Sequence, residues 1–120
     1  MSLTKEEVLE KMKEEGVVVL NVLPEADYQR LHIQGSQSLP LTLDYGGFLQ
    51  EIEKRHGKQK FFITYGDRLS RADGASAAHA MRIQGFKAEN YPGGVQEWFE
   101  AGLPTGGNQS GVQPIQPVMG

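Results

Sequence analysis

The chain contains no cysteine. Disulfide staples, thiolate metal ligands and a thiol nucleophile are therefore all excluded. Histidine is scarce as well: His32, His56 and His79 are scattered and lack the close spacing of a ligand set, so no metal and no cofactor is expected. Apolar runs are short, far below the roughly 20 residues that cross a bilayer. The N-terminus is acidic and helical in pattern, unlike a basic segment leading into an apolar one, so a cytoplasmic location with no membrane partner is expected. Basic clusters are missing too. With a net charge of -3 and a pI near 5.6, the chain lacks the concentrated Lys and Arg that nucleic acid demands, and no nucleic-acid partner is expected.

What remains is the composition of one globular domain: 120 residues, 38% hydrophobic and 22% charged, with 15 glycines to turn the chain. Thr4-Lys5-Glu6-Glu7 has the form of a capping box, followed by Val8, Leu9 and Met12 on one helical face and Gly16 as a stop. Val17 to Leu20 is a continuous β-branched and aliphatic run that suits a strand covered on both faces, ending near Asn21. Pro24 then opens a short helix over Glu25 to Leu31. Ser38-Leu39-Pro40 allows only a brief strand before proline stops the pairing. Phe48, Leu49 and Ile52 mark a helix closed by Gly57, and Lys60 to Tyr65 is the second strong strand. Ala75 to Gln84 reads as a helix, Lys87 to Tyr91 as a strand, and Val95, Trp98 and Phe99 as the apolar face of a last helix ended by Gly102 and Pro104.

Helices and strands alternate throughout, which specifies an α/β fold with a mainly parallel central sheet and helices on both faces. Ligands of such sheets sit beyond the carboxyl ends of the strands, so topology alone points to Gly66 through Gly74. Residues 4–104 are read as the domain, residues 1–3 as an added N-terminal remnant, and residues 105–120 as a flexible tail. That tail is rich in Gly, Asn, Gln, Ser and Pro, with only Val112, Ile115 and Val118 able to dock a partner.

Three ordered pieces resemble the rhodanese homology domain. Val18 to Val22 followed by Glu25, Tyr28 and His32-Ile33-Gln34-Gly35-Ser36 resembles its opening strand and turn. Ile63-Thr64-Tyr65, a polar loop and an Ala-rich helix ending Gly85-Phe86 resemble its active-site strand, loop and helix. Gly93-Gly94-Val95-Gln96-Glu97-Trp98 with Gly102 and Pro104 resembles its closing segment.

The resemblance implies a sulfurtransferase ancestry in which a cysteine directly after the tyrosine carries sulfane sulfur as a persulfide. That position is Gly66, which has no side-chain atom to hold sulfur. Asn21-Val22-Leu23 likewise stands where the family commonly has D-V-R, so an acid and a base are absent together. From Gly66 to Gly85 the chain runs nineteen positions, slightly more than compact members, and the extra residues are expected near Asp73-Gly74. The longer-looped relatives resembling dual-specificity phosphatases need C-x5-R, but the sixth residue after Gly66 is Ala72, so that reading fails twice.

The candidate ligand-binding loop is Gly66, Asp67, Arg68, Leu69, Ser70 and Arg71, with no catalytic residue assigned. Its backbone N–H groups before a helix and the two arginines could hold an anion, while Asp67 and Asp73 oppose one. Interspersed charges on a solvated loop are the plainer explanation. Ser70 lacks a general base at a telling spacing. His79 is expected to face solvent, His32 to be a structural hydrogen-bonding residue, and His56 a helix-end cation. Trp98 is expected in the core, and Tyr45 beside Gly46-Gly47 is a candidate rim of the site. The function expected is an inactive rhodanese-like domain that binds a small anion or an unidentified protein. The alternatives are a thiosulfate sulfurtransferase-type enzyme whose cysteine has been replaced, and a purely structural interaction domain.

Overall fold

The fold is taken from a computed structural model that describes residues 2–67 and 71–108, with the side chains of Arg71 and Ala72 left aside. Helix α1 (Lys5–Lys11) starts at Thr4, whose hydroxyl accepts from Glu7 N–H while the Glu7 carboxylate accepts from Thr4 N–H, so the capping box forms as expected. Strand β1 (Val17–Asn21) follows, then α2 (Glu25–Arg30), β2 (His32–Ile33) and β3 (Gln37–Ser38). The chain continues through α3 (Tyr45–His56), β4 (Phe61–Tyr65), α4 (Arg71–Ile83), β5 (Lys87–Asn90), α5 (Gly94–Glu100) and β6 (Thr105–Gly106).

Four strands form a parallel sheet in the order β3-β1-β4-β5, and β2 pairs antiparallel with β6 in a separate ribbon. The unbroken apolar run of β1 is explained by two cores, one on each face. Val18, Leu20 and Val22 with Phe62 and Ala88 meet Phe48 and Ile52 of α3 and Ala77, Ala78 and Met81 of α4. Val19, Ile63 and Tyr65 instead meet Val8 of α1 and Val95 and Trp98 of α5. The period of two along each strand sends neighbours to opposite layers, and both layers are apolar. Trp98 is core, as expected, with its indole N–H donating to Pro104 O at 2.8 Å.

The brief strand expected before Pro40 is β3, which ends at Ser38, and beyond it Leu39 N–H donates to Asn21 O and Leu41 N–H to Val22 O. Two local expectations change. Helix α4 begins at Arg71, four residues before the expected Ala75, so Asp73-Gly74 belong to its first turn and are not loop residues. Thr105–Gly106, read from composition as the start of the tail, are a strand because β2 supplies an open edge. Residues 109–120 lie outside the described set. Ser2 and Leu3 run beside β5, Leu3 N–H donating to Asn90 O at 2.8 Å.

Candidate functional site

The parallel register ends β1 at Asn21 beside β4 at Tyr65, and everything after those residues gathers at the carboxyl edge of the sheet. Both side chains leave on the α1/α5 face and are fully buried. Tyr65 Oη accepts from Asn21 Nδ2 at 3.1 Å and from Ile33 N–H at 2.9 Å. Ser36 Oγ donates to Ile33 O at 2.6 Å, which leaves the phenol proton to serve the 2.7 Å contact between Tyr65 Oη and Ser36 Oγ. Asn21 Oδ1 in turn accepts from Leu23 N–H at 2.9 Å. The buried polar atoms thus satisfy one another without any charge. Burial pushes the Tyr65 phenol up to about 12, with the bonds from Ser36, Asn21 and Ile33 acting the other way.

Where the resemblance implies D-V-R, Asn21 is a neutral partner for the phenol and Leu23 is buried at 3% exposure. Tyr28 and His32 stack at 3.8 Å, and His32 Nδ1 lies 2.8 Å from Tyr28 O, so His32 is the structural residue the turn motif led one to expect.

Gly66 follows Tyr65 and is buried. Its carbonyl accepts from Val95 N–H at 2.9 Å, which ties the end of β4 to the start of α5. The approach requires glycine at Gly94: φ is +69°, and a Cβ there would lie 2.5 Å from Gly66 O and 2.9 Å from the Asp67 carbonyl carbon. Gly74 plays the same role from α4, since a Cβ would collide with Asn90 Oδ1, and Thr64 Oγ1 donates to Gly74 O at 2.7 Å. These contacts place the first turn of α4 over the β4 terminus.

Beside Gly66 a cleft of about 300 Å³ opens between α2 and α5, lined by Leu23, Asp27, Arg30, Leu31, Asp67, Val95, Gln96 and Phe99. Of the candidate residues, Asp67 lines this cleft, and the buried Gly66 before it is tied by its carbonyl to Val95, another lining residue. Arg71 opens α4, and Arg68, Leu69 and Ser70 lie outside the described residues. The α2 wall was not among the sequence-based candidates, and Phe99, read only as part of the apolar face of the last helix, is half-buried and faces the cleft. The spacing of Val95 and Phe99, four apart on one helix face, was the available signal.

The remaining candidates lie elsewhere. Tyr45 begins α3 behind its cap, where Gly47 N–H donates to Asp44 Oδ1 at 3.0 Å, and it does not line the cleft. His79 is exposed on α4, as expected. His56 ends α3, where burial, then Lys60 and Arg55, push its imidazole below the usual range, against the expected helix-end cation, and it contacts Phe62 and Gln37. No helix among the described residues is long and apolar enough to cross a membrane.

The fold and this site define a class: an α/β domain with a parallel four-stranded sheet and a cleft at the carboxyl edge of its central strands, between α2 and α5. The family model for the Rhodanese-like domain matches residues 4–101, and the chain belongs to that family. Among solved structures, a protein from Bacillus halodurans is 21% identical at a TM-score of 0.74, the match covering 98% of this chain and 85% of that one. The rhodanese-like domain of an Anabaena protein is 19% identical at 0.74, covering 98% and 87%. A structure named probable thiosulfate sulfurtransferase is 26% identical at 0.68, covering 88% of this chain and 47% of that one. No curated protein matches.

Proposed function

We propose that this rhodanese-like domain is a non-catalytic member of its superfamily, and that it uses the segment after β4 to bind a small anion or a protein instead of transferring sulfur. One observation carries the reading. Gly66 is buried and anchored to Val95, and by the motif resemblance it stands where the family's sulfur-carrying cysteine would be, with no side chain at all. Two neighbours support it, since Asn21 and Leu23 are integrated into a neutral, fully satisfied network with no charge left for chemistry. The thiosulfate sulfurtransferase name of one similar structure describes that protein.

What the segment retains is the positive end of a 13-residue helix directly beyond the strand. Asp73 in the first turn of α4 competes with any anion there, so weak and selective binding is expected.

Incubation with thiosulfate and cyanide, followed by thiocyanate measurement, tests the inert half of the proposal; turnover above buffer in purified material overturns it. Titration with phosphate, sulfate and thiosulfate while following amide shifts tests the binding half. Shifts centred on residues 66–74 support the anion reading. Shifts at another face, seen only with a protein partner, assign the domain to a structural interaction role.

A further inference from the structure

Phe99 belongs to neither of the two cores. It stays half-buried on α5, four residues after Val95, and lines the cleft of about 300 Å³ that opens between α5 and α2. Leu31, also half-buried, and the buried Leu23 and Val95 complete an apolar wall. That volume lies at the lower end of ligand pockets and suits one large side chain. An aromatic held half-open beside room for a single anchor is the form of a protein-docking site, where a few apolar anchors carry most of the binding energy.

The charges around the wall select what can enter. Among the described lining residues, two carboxylates, Asp27 and Asp67, face one guanidinium, Arg30. Arg30 is committed to Asp27, Nη1 to Oδ1 at 2.8 Å, so an incoming anion meets two like charges and a cation that is already paired. Asp67 keeps a contact of its own within the chain and adds its negative sign to the rim. The chain as a whole carries -3. Local and overall charge therefore act together, repelling an acidic segment and drawing a basic one to the rim.

We propose that the cleft between α2 and α5 docks a segment of another protein, one that seats a large aliphatic side chain against Leu23, Leu31, Val95 and Phe99 and carries Lys or Arg on either side of it. This rests on the non-catalytic reading above and names, by its chemistry, the protein partner of the same site. The anchor supplies the affinity by leaving water. The flanking cations supply the selection, since the same anchor between two acids would be turned away.

Acetyl-lysyl-leucyl-lysine amide is the probe, titrated into isotope-labelled chain while amide signals are followed. Shifts should centre on Leu31, Val95, Gln96 and Phe99. Replacing the leucine by alanine should weaken binding about tenfold, as should replacing both lysines by glutamates. Phe99→Ala should cost a similar factor. Gln96→Lys, at an exposed position of the lining, should cut the preference for the lysyl over the glutamyl peptide about threefold. A cleft that stays unmoved, or that takes the glutamyl peptide as readily as the lysyl one, overturns the proposal. Cleft shifts that grow with protein concentration alone show that a second copy occupies the site, which also overturns it. Thiocyanate formed from thiosulfate and cyanide overturns the non-catalytic reading, whereas a silent peptide titration without thiocyanate overturns this inference alone.

Discussion

Asn21 and Tyr65 are joined twice, once as register partners on β1 and β4 and again through their side chains, Nδ2 donating to the buried phenol oxygen at 3.1 Å. The second bond converts the carboxyl edge of the sheet into a fixed platform. It also recruits the turn containing Ile33 and Ser36, so residues from three separate segments converge on one hydroxyl.

Removing that hydroxyl should be costly. Tyr65→Phe leaves the Asn21 amide and Ile33 N–H without their acceptor in a dry environment, an expected loss of about 3 kcal/mol. The urea midpoint should fall by about 1 M or more with an unchanged slope. The same group sets a pH limit. Its folded pKa of about 12 exceeds the unfolded value of about 10, so its contribution is complete below about pH 10 and is lost as pH rises toward 12. Unfolding measured across that window should show a fall that Tyr65→Phe lacks.

Gly94→Ala should destabilise the domain by about 2 kcal/mol, through a positive φ and a Cβ driven into Gly66 O. A drop in Tm of about 10 °C is expected, with the largest amide shifts at Gly66 and Asp67. A neutral result would show that α5 does not lock the end of β4.

His56 should titrate below the ordinary value of about 6.5, since burial and two nearby cations disfavour its protonated form. The stability it confers is therefore present above that value and declines as pH falls through the lower folded one. Ring-proton shifts followed from pH 4 to 8 give the midpoint directly. A midpoint at or above 6.5 would return it to the role of a helix-end cation.

Gly66→Cys should create a single thiol with a pKa below the ordinary 8.5 or so, because α4 begins five residues later and its positive end favours a thiolate. The pH dependence of its reaction with a disulfide reagent measures this. A midpoint near 8.5 would show that no donors converge on the position. Sulfur transfer need not return with the thiol, since Asn21 and Leu23 still replace the charged pair.

Much of this was legible in the chain. The alternation of helix and strand patterns and the continuous apolar runs at Val17 to Leu20 and Phe61 to Tyr65 specify a sheet buried on both faces, and the two cores are its physical expression. The absent thiol could be read from one position. Harder to see was the start of α4, because Arg71 to Gly74 has no apolar period and is held by packing of Gly74 against Asn90 and Tyr65. The β6 ribbon was hidden for a similar reason: Thr105–Gly106 have weak strand preference, and only the open edge of β2 pairs them. The cleft's α2 wall was invisible to periodicity, since Asp27, Arg30 and Leu31 read as an ordinary solvated helix until α5 is placed opposite.

The most direct test of a sulfur-free role is the intact mass of the native protein after incubation with thiosulfate. The mass should be unchanged, with no adduct of one added sulfur atom at any residue. A covalent sulfur adduct that cyanide removes as thiocyanate would contradict it.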